Sequence, residues 1–207
     1  MITRLGSLLL ACAFSMVANA DLVVSTDAPS GAPLVLQAGD VGVGTMTVSV
    51  ASDSSDDVTG YQVGLRIVPQ GGAVGAVSFS AASPAASNYI FTSPNDFAQN
   101  VFGSGDLAAL DDVSTAVTVT TAVNLVDLTF DVSAGSRGFF DVVLINSSPA
   151  VTEFVNGVSQ VAFGPSGGTA IGVISAVPEP SAFLFGSVVV SLIAGAAVWH
   201  CKRTAAS

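Results

Sequence analysis

Between Asp21 and Val177 the chain has no cysteine, no histidine and no lysine. Both cysteines, Cys12 and Cys201, lie nearer the ends, as do the single histidine, His200, and the single lysine, Lys202. Each absence removes a class of chemistry from the central region. Without thiols there is no disulfide, no thiolate nucleophile and no thiolate metal ligand. Without imidazole there is no Ser-His-Asp or Cys-His arrangement and no histidine-based zinc site. Without a lysine amine there is no Schiff-base chemistry. Basic charge is scarce as well: Arg66 and Arg137 stand against fifteen acidic residues between Asp21 and Glu179, a formal charge of −13. A surface of that sign repels phosphate backbones, which excludes nucleic acid as a partner. It suits solubility outside the cell and can attract divalent cations, although simple charge repulsion accounts for it equally. Nothing in this inventory calls for a cofactor.

Long apolar runs occur only at the two ends. Arg4 precedes the apolar stretch Leu5 to Val17, and Ala18-Asn19-Ala20 then presents the small-x-small pattern that signal peptidase accepts. Residues 1–20 therefore read as a secretory signal peptide, cut between Ala20 and Asp21. Lipoprotein processing at Cys12 is a minor alternative, since Leu10 is not the usual small residue there. At the other end, residues 182–199 carry no charge and are followed by Lys202 and Arg203. About 20 apolar residues span a bilayer core, so this run is just long enough to cross. Trp199 falls where an aromatic side chain prefers the headgroup region, and Lys202 and Arg203 form a cytoplasmic stop. That orientation leaves everything before Pro178 outside the cytoplasm. Pro178 and Pro180 cannot extend the helix backwards, so Val177 to Pro180 is expected to be extended and exposed at the membrane surface.

The order Val177-Pro178-Glu179-Pro180-Ser181, membrane-length helix, basic residues resembles the PEP-CTERM sorting signal of Gram-negative bacteria. The resemblance covers residues 177–203, with a basic tail sparser than the arginine cluster common in that family. It implies recognition and cleavage by an exosortase-like processing enzyme. It also implies transient anchoring in the inner membrane, then release or transfer to the cell surface or the extracellular space. Such tails are linked to bacteria that make extracellular polysaccharide, so the resemblance further implies a biofilm-matrix role, with polysaccharide or other surface proteins as partners.

Residues 21–176 are left as one exported domain. Their periodicity is that of strands: Met46, Val48 and Val50; Tyr61, Val63, Leu65 and Ile67; and Val126, Leu128, Phe130 and Val132 each alternate with polar or small residues. Further short runs rich in β-branched and aromatic residues, Tyr89 to Thr92 among them, are expected to be strands and are separated by turn formers such as Gln70-Gly71-Gly72 and Ala134-Gly135-Ser136. Many short strands with almost no helical periodicity predict an all-β fold, an antiparallel β-sandwich. Asp106 to Asp112 is the one candidate helical turn, with a loop or a short strand as the alternative beside Gly103 and Gly105. The order Ala38-Gly39-Asp40, then Gly60-Tyr61-Gln62-Val63-Gly64-Leu65-Arg66-Ile67, then Leu125 to Val132 before Gly138-Phe139-Phe140-Asp141-Val142 is similar to that of cohesin-type domains. These are jelly-roll sandwiches that bind dockerins in cellulosomal systems and occur elsewhere as surface modules. That similarity implies a carbohydrate- or protein-binding module.

Candidate sites are few. Asp53, Asp56 and Asp57 crowd into a serine-rich link. Oxygen-rich loops of this kind can hold calcium, but the spacing fits no EF-hand and a solvated turn is the simpler account. Asp111 and Asp112, after Asp106, form a similar group. Paired carboxylates could serve a membrane-tethered hydrolase, yet the sequence fixes no two of them in one cleft, and the acids are expected on turns and strand exteriors. Tyr61, Tyr89, Phe91 and Phe97 could stack on sugars but ordinarily fill a sandwich core. The sequence thus predicts a non-enzymatic exported surface protein.

Overall fold

The computed structural model describes residues 22–179. The signal-peptide region 1–20 with Ala18 and Ala20, the cleavage neighbour Asp21, Cys12, Pro180, Ser181, the apolar segment 182–199, Lys202 and Arg203 lie outside the described residues. The described elements are all strands, and among these residues there is no helix to cross a membrane.

In chain order the strands are β1 (Leu22–Thr26), β2 (Leu34–Gln37), β3 (Val43–Ser52), β4 (Asp56–Pro69), β5 (Val77–Pro84), β6 (Ala98–Val101), β7 (Leu107–Val119), β8 (Val123–Val132), β9 (Gly138–Leu144), β10 (Asn146–Ser147), β11 (Ala150–Val151), β12 (Glu153–Asn156), β13 (Ser159–Val161), β14 (Phe163–Gly164) and β15 (Ala170–Val177). One sheet runs β14-β1-β3-β8-β5. The other runs β13-β12-β4-β9-β15-β2, with β7 on the free side of β4 and β6 beyond it. Most pairings are antiparallel, but β1 lies parallel to β14 and β2 parallel to β15. The second of these pairs brings the last strand beside the second, so residues far apart in sequence share one edge.

The alternation read from the sequence is the alternation of burial. Met46, Val48 and Val50 of β3, Val63 and Leu65 of β4, and Val126, Leu128 and Phe130 of β8 are fully buried between the sheets, and their neighbours in sequence lie on the outer face, except Leu125, which is buried beside a break in the β3–β8 register. Each inward side chain removes apolar area from water at about 25 cal/mol per Å², which is why a one-residue slip of register is so unfavourable. Phe79 packs on Phe130 with ring centroids 5.8 Å apart, and Phe154 on Phe163 at 5.5 Å.

Two expectations are corrected. Asp106 to Asp112 forms no helical turn: from Leu107 on it belongs to β7, whose residues 107–112 pair with Leu65 to Gly60 of β4. The apolar run Tyr89 to Thr92 forms no strand. It touches the ladder only through a bridge from Tyr89 to Asn124, and its side chains close one end of the core.

Candidate functional site

The chemistry gathers where β4, β7 and β12 lie side by side. On the inner face, Tyr61 of β4 sits opposite Asp111 of β7. Facing positions point the same way across a ladder, so both enter the sandwich, and Asp111 is only 1% exposed. Its carboxylate accepts from the Tyr89 hydroxyl at 2.6 Å and from the backbone N–H groups of Asp96 at 2.8 Å, Asp112 at 2.9 Å and Asn95 at 3.2 Å. Tyr61 Oη lies 3.0 Å from the Tyr89 hydroxyl and donates to the Leu125 carbonyl at 2.9 Å. Burial pushes the Tyr61 phenol well above its ordinary range. Burial, reinforced by the hydrogen bond to Asp111, does the same for Tyr89. Both phenols therefore remain protonated donors. The network fastens the Tyr89–Asp96 segment to β7, and Tyr61 and Phe91 stack 6.0 Å apart beneath it.

On the outer face of the same strands, Gly60 and Gln62 floor a shallow, open groove of about 160 Å³ flanked by Leu110 and Asp112 of β7 and by Glu153 and Val155 of β12. A Cβ on Gly60 would come within 3.1 Å of both Asp112 Cβ and Val155 Cγ2, so glycine is what keeps the floor low. Among the described residues, neither the Asp112 nor the Glu153 carboxylate accepts a hydrogen bond, whereas Gln62 donates to the Val151 carbonyl at 2.7 Å. Their strands stand two inter-strand spacings apart on either side of β4, roughly 10 Å. Around the corner a second open depression, of about 320 Å³, is lined by Phe91, Ser93, Asn95 and Val113 to Val117. Here β7 bulges away from β4 between Asp112 and Val117.

Further along β4 the outer face is covered by the chain itself. Thr152 Oγ1 accepts from Gly64 N at 3.0 Å, and the β10–β11 hairpin presses so close that a Cβ on Gly64 would meet the Ala150 carbonyl oxygen at 2.2 Å. Ala108, Ile145 and Ala150, with Phe102 against them, make a small second core there. Next to it Arg66 reaches Asp106 with two hydrogen bonds, Nε at 2.7 Å and a terminal nitrogen at 2.8 Å. Ser104 adds a third donor at 3.0 Å. Asp106 is buried while the arginine side chain remains half exposed. The Arg66 hydrogen bonds hold the Asp106 carboxyl below its ordinary value against the opposing effect of burial.

The acids expected on turns and strand exteriors thus divide. Asp106 and Asp111 are interior and fully engaged by donors. Asp53 is on the turn before β4. Asp56 accepts from Ser52 Oγ at 2.8 Å and Asp57 from Thr118 Oγ1 at 2.5 Å. Among the described residues no three carboxylates gather as metal ligands. Tyr61 and Phe91 belong to the core, with Tyr89 and Phe97 packed half-buried against it. The buried roles of Asp106 and Asp111 had no periodic signal, because each depends on a partner brought in by another strand or loop. Val177 closes β15 opposite Gln37, Pro178 is half-buried, and Glu179 is exposed, its side chain lying over Gly39.

No family model and no curated protein matches the chain. Solved structures do. The solution structure of CaCohA2 from Clostridium acetobutylicum superposes with a TM-score of 0.53 at 13% identity, covering 77% of this chain and 92% of that one. The sixth cohesin of scaffoldin B from Acetivibrio cellulolyticus, solved in complex with a Cel5 dockerin, gives 0.52 at 13% identity, covering 77% and 99%. The seventh ScaB type I cohesin from Pseudobacteroides cellulosolvens gives 0.51 at 13% identity, covering 77% and 93%. At this identity the likeness is one of fold: the described residues form a cohesin-like β-sandwich.

Proposed function

We propose that the chain is an exported surface protein whose β-sandwich works by binding a partner protein, and that its C-terminal PEP-CTERM segment is processed by an exosortase-like enzyme. The observation that carries the reading is where the ladders stop. β15 ends at Val177, where the sorting motif opens, and Pro178 and Glu179 follow it outside any strand. Pro178 has no N–H to continue the ladder, so the chain leaves the sheet there; Val177 is still paired and Pro178 half-buried, so the expected exposed stretch begins only at Glu179.

Binding in place of turnover is supported by the state of the acids. The two interior carboxylates are held by structural donors. The two beside the Gly60 groove are free acceptors on rigid strands, spaced for a partner's lysine, arginine or N–H groups. A cohesin from the set of likenesses was solved holding a dockerin, which favours a protein as the partner class. Replacing Pro178, Glu179 and Pro180 with alanine should leave full-length protein in the membrane fraction; normal processing and export of that variant would refute the sorting claim. For the groove, photo-crosslinked surface partners of the full chain should disappear in an Asp112→Asn, Glu153→Gln variant and persist in Asp53→Asn. Equal capture by both variants would remove the groove from the proposal.

A further inference from the structure

The strongest unassigned feature is the end of the sandwich from which the chain departs. Among the described residues, most of the large apolar side chains left in solvent collect there: Val41 at 74% exposure, Val35 at 60%, Phe139, Val74 and Val68. Their placement follows from the ladders. Ser175 of β15 has Val35 on one side and Phe139 on the other, so these two flank the last strand just before its exit. Val74 pairs with Arg137, and Gln70 N donates to the Phe139 carbonyl at 2.9 Å, which draws the β4–β5 and β8–β9 loops to the same level. Val41 sits in the β2–β3 loop, tied to the exit by Ala38 N donating to the Val177 carbonyl at 2.8 Å. The acidic turn Asp53 to Asp57 is at the opposite end, whereas Arg137, one of two cations in the exported domain, is exposed at this one.

Scattered apolar residues on a surface need no explanation, but a cluster at one end of so acidic a domain does. We infer that this end is a lipid-facing surface: Val41, Val35, Phe139 and Val74 rest in the headgroup and upper acyl region of a phospholipid bilayer, with Arg137 at the phosphates. The inference rests on the reading of residues 182–199 as a membrane span. Only three peptide steps separate Glu179 from Ala182, at most about 10 Å of extended chain, so the exit end is held within about 10 Å of the start of that span whatever its composition. A tether that short makes exposed valine and phenylalanine useful at this end, because their transfer out of water orients the domain. Asp40, Asp131 and Asp141 near the same level each accept an internal hydrogen bond, from Gln37 N, Gly42 N and Gln70 Nε2. The acidic turn is thereby directed away from the lipid.

The test uses the full chain in phosphatidylcholine vesicles, with Trp199→Phe as background and one tryptophan returned at a time. Lipids brominated high on the acyl chain should quench Val41→Trp and Phe139→Trp at least about twofold more than Val158→Trp and Val23→Trp, which are at least as exposed as Phe139 but at the far end. Equal quenching at all four positions in protein that resists alkaline carbonate overturns the lipid-facing end while leaving the anchor intact. Extraction by carbonate overturns the anchor itself, and this inference with it.

Discussion

The Tyr89 hydroxyl donates a 2.6 Å hydrogen bond to Asp111 Oδ2, joining a loop, whose one strand-type bridge among the described residues is to Asn124, to the middle of the longest ladder there. The same carboxylate holds Asn95 and Asp96 by their backbone N–H groups, so one buried aspartate organises the whole segment that closes the core.

Removing that donor should therefore cost more than an average surface hydrogen bond. Tyr89→Phe keeps the ring that meets Phe91 edge-on at 5.9 Å and deletes only the hydroxyl. A hydrogen bond to a carboxylate contributes about 1.5–3 kcal/mol, and the three remaining backbone donors soften the loss, so a destabilisation of about 1–2 kcal/mol is expected. Urea unfolding should show a lower midpoint with an unchanged slope. Wild-type stability in Tyr89→Phe would mean that the backbone donors alone hold Asp111.

Stability should depend on pH through Asp106. Arg66 holds its carboxyl below the ordinary value, so the group contributes stability fully above the unfolded carboxyl value of about 3.9. That contribution is lost as pH falls through the lower folded value. Arg66→Gln removes the cause of the depression. The difference in melting temperature between wild type and Arg66→Gln should be greatest near neutral pH and shrink below about pH 4. A difference constant from pH 7 to pH 2 would show that the pair does not couple to folding.

The hairpin over Gly64 is the most sharply constrained contact. Gly64→Ala drives a methyl into the Ala150 carbonyl and should destabilise by about 1–3 kcal/mol as β10 and β11 shift outward. Gly71→Ala meets nothing within 4 Å and should be near neutral. Thermal melts of the two variants, with hydrogen exchange at Ile145 and Thr152, would separate a local displacement from a global loss. Equal effects of the two substitutions would mean that the hairpin yields freely.

The strands β3, β4 and β8 were legible because a period of two is a local property: each residue's side is set by its immediate neighbours. The helical turn expected at Asp106 to Asp112 failed for the complementary reason. Seven residues with two leucines and three aspartates fit either period, and the ladder to β4 decided between them. Tyr89 to Thr92 has strand composition, but its backbone meets β8 only at Asn124 and the Tyr89 hydroxyl goes to Asp111 and Tyr61, so no ladder forms.

By itself the amino-acid order determined the all-β class, the alternation that fills the core, and the lack of thiol, imidazole and amine between Asp21 and Val177. It also set out the two apolar ends that make export the expectation. Only the tertiary structure decided that Asp106 and Asp111 are interior while Asp112 and Glu153 rim a groove, that Ala150 covers Gly64, and that Val35, Val41 and Phe139 surround the exit of β15. Those positions are joined across separations of up to about 140 residues. Pairings at that distance depend on how whole sheets close upon one another, which no local pattern encodes.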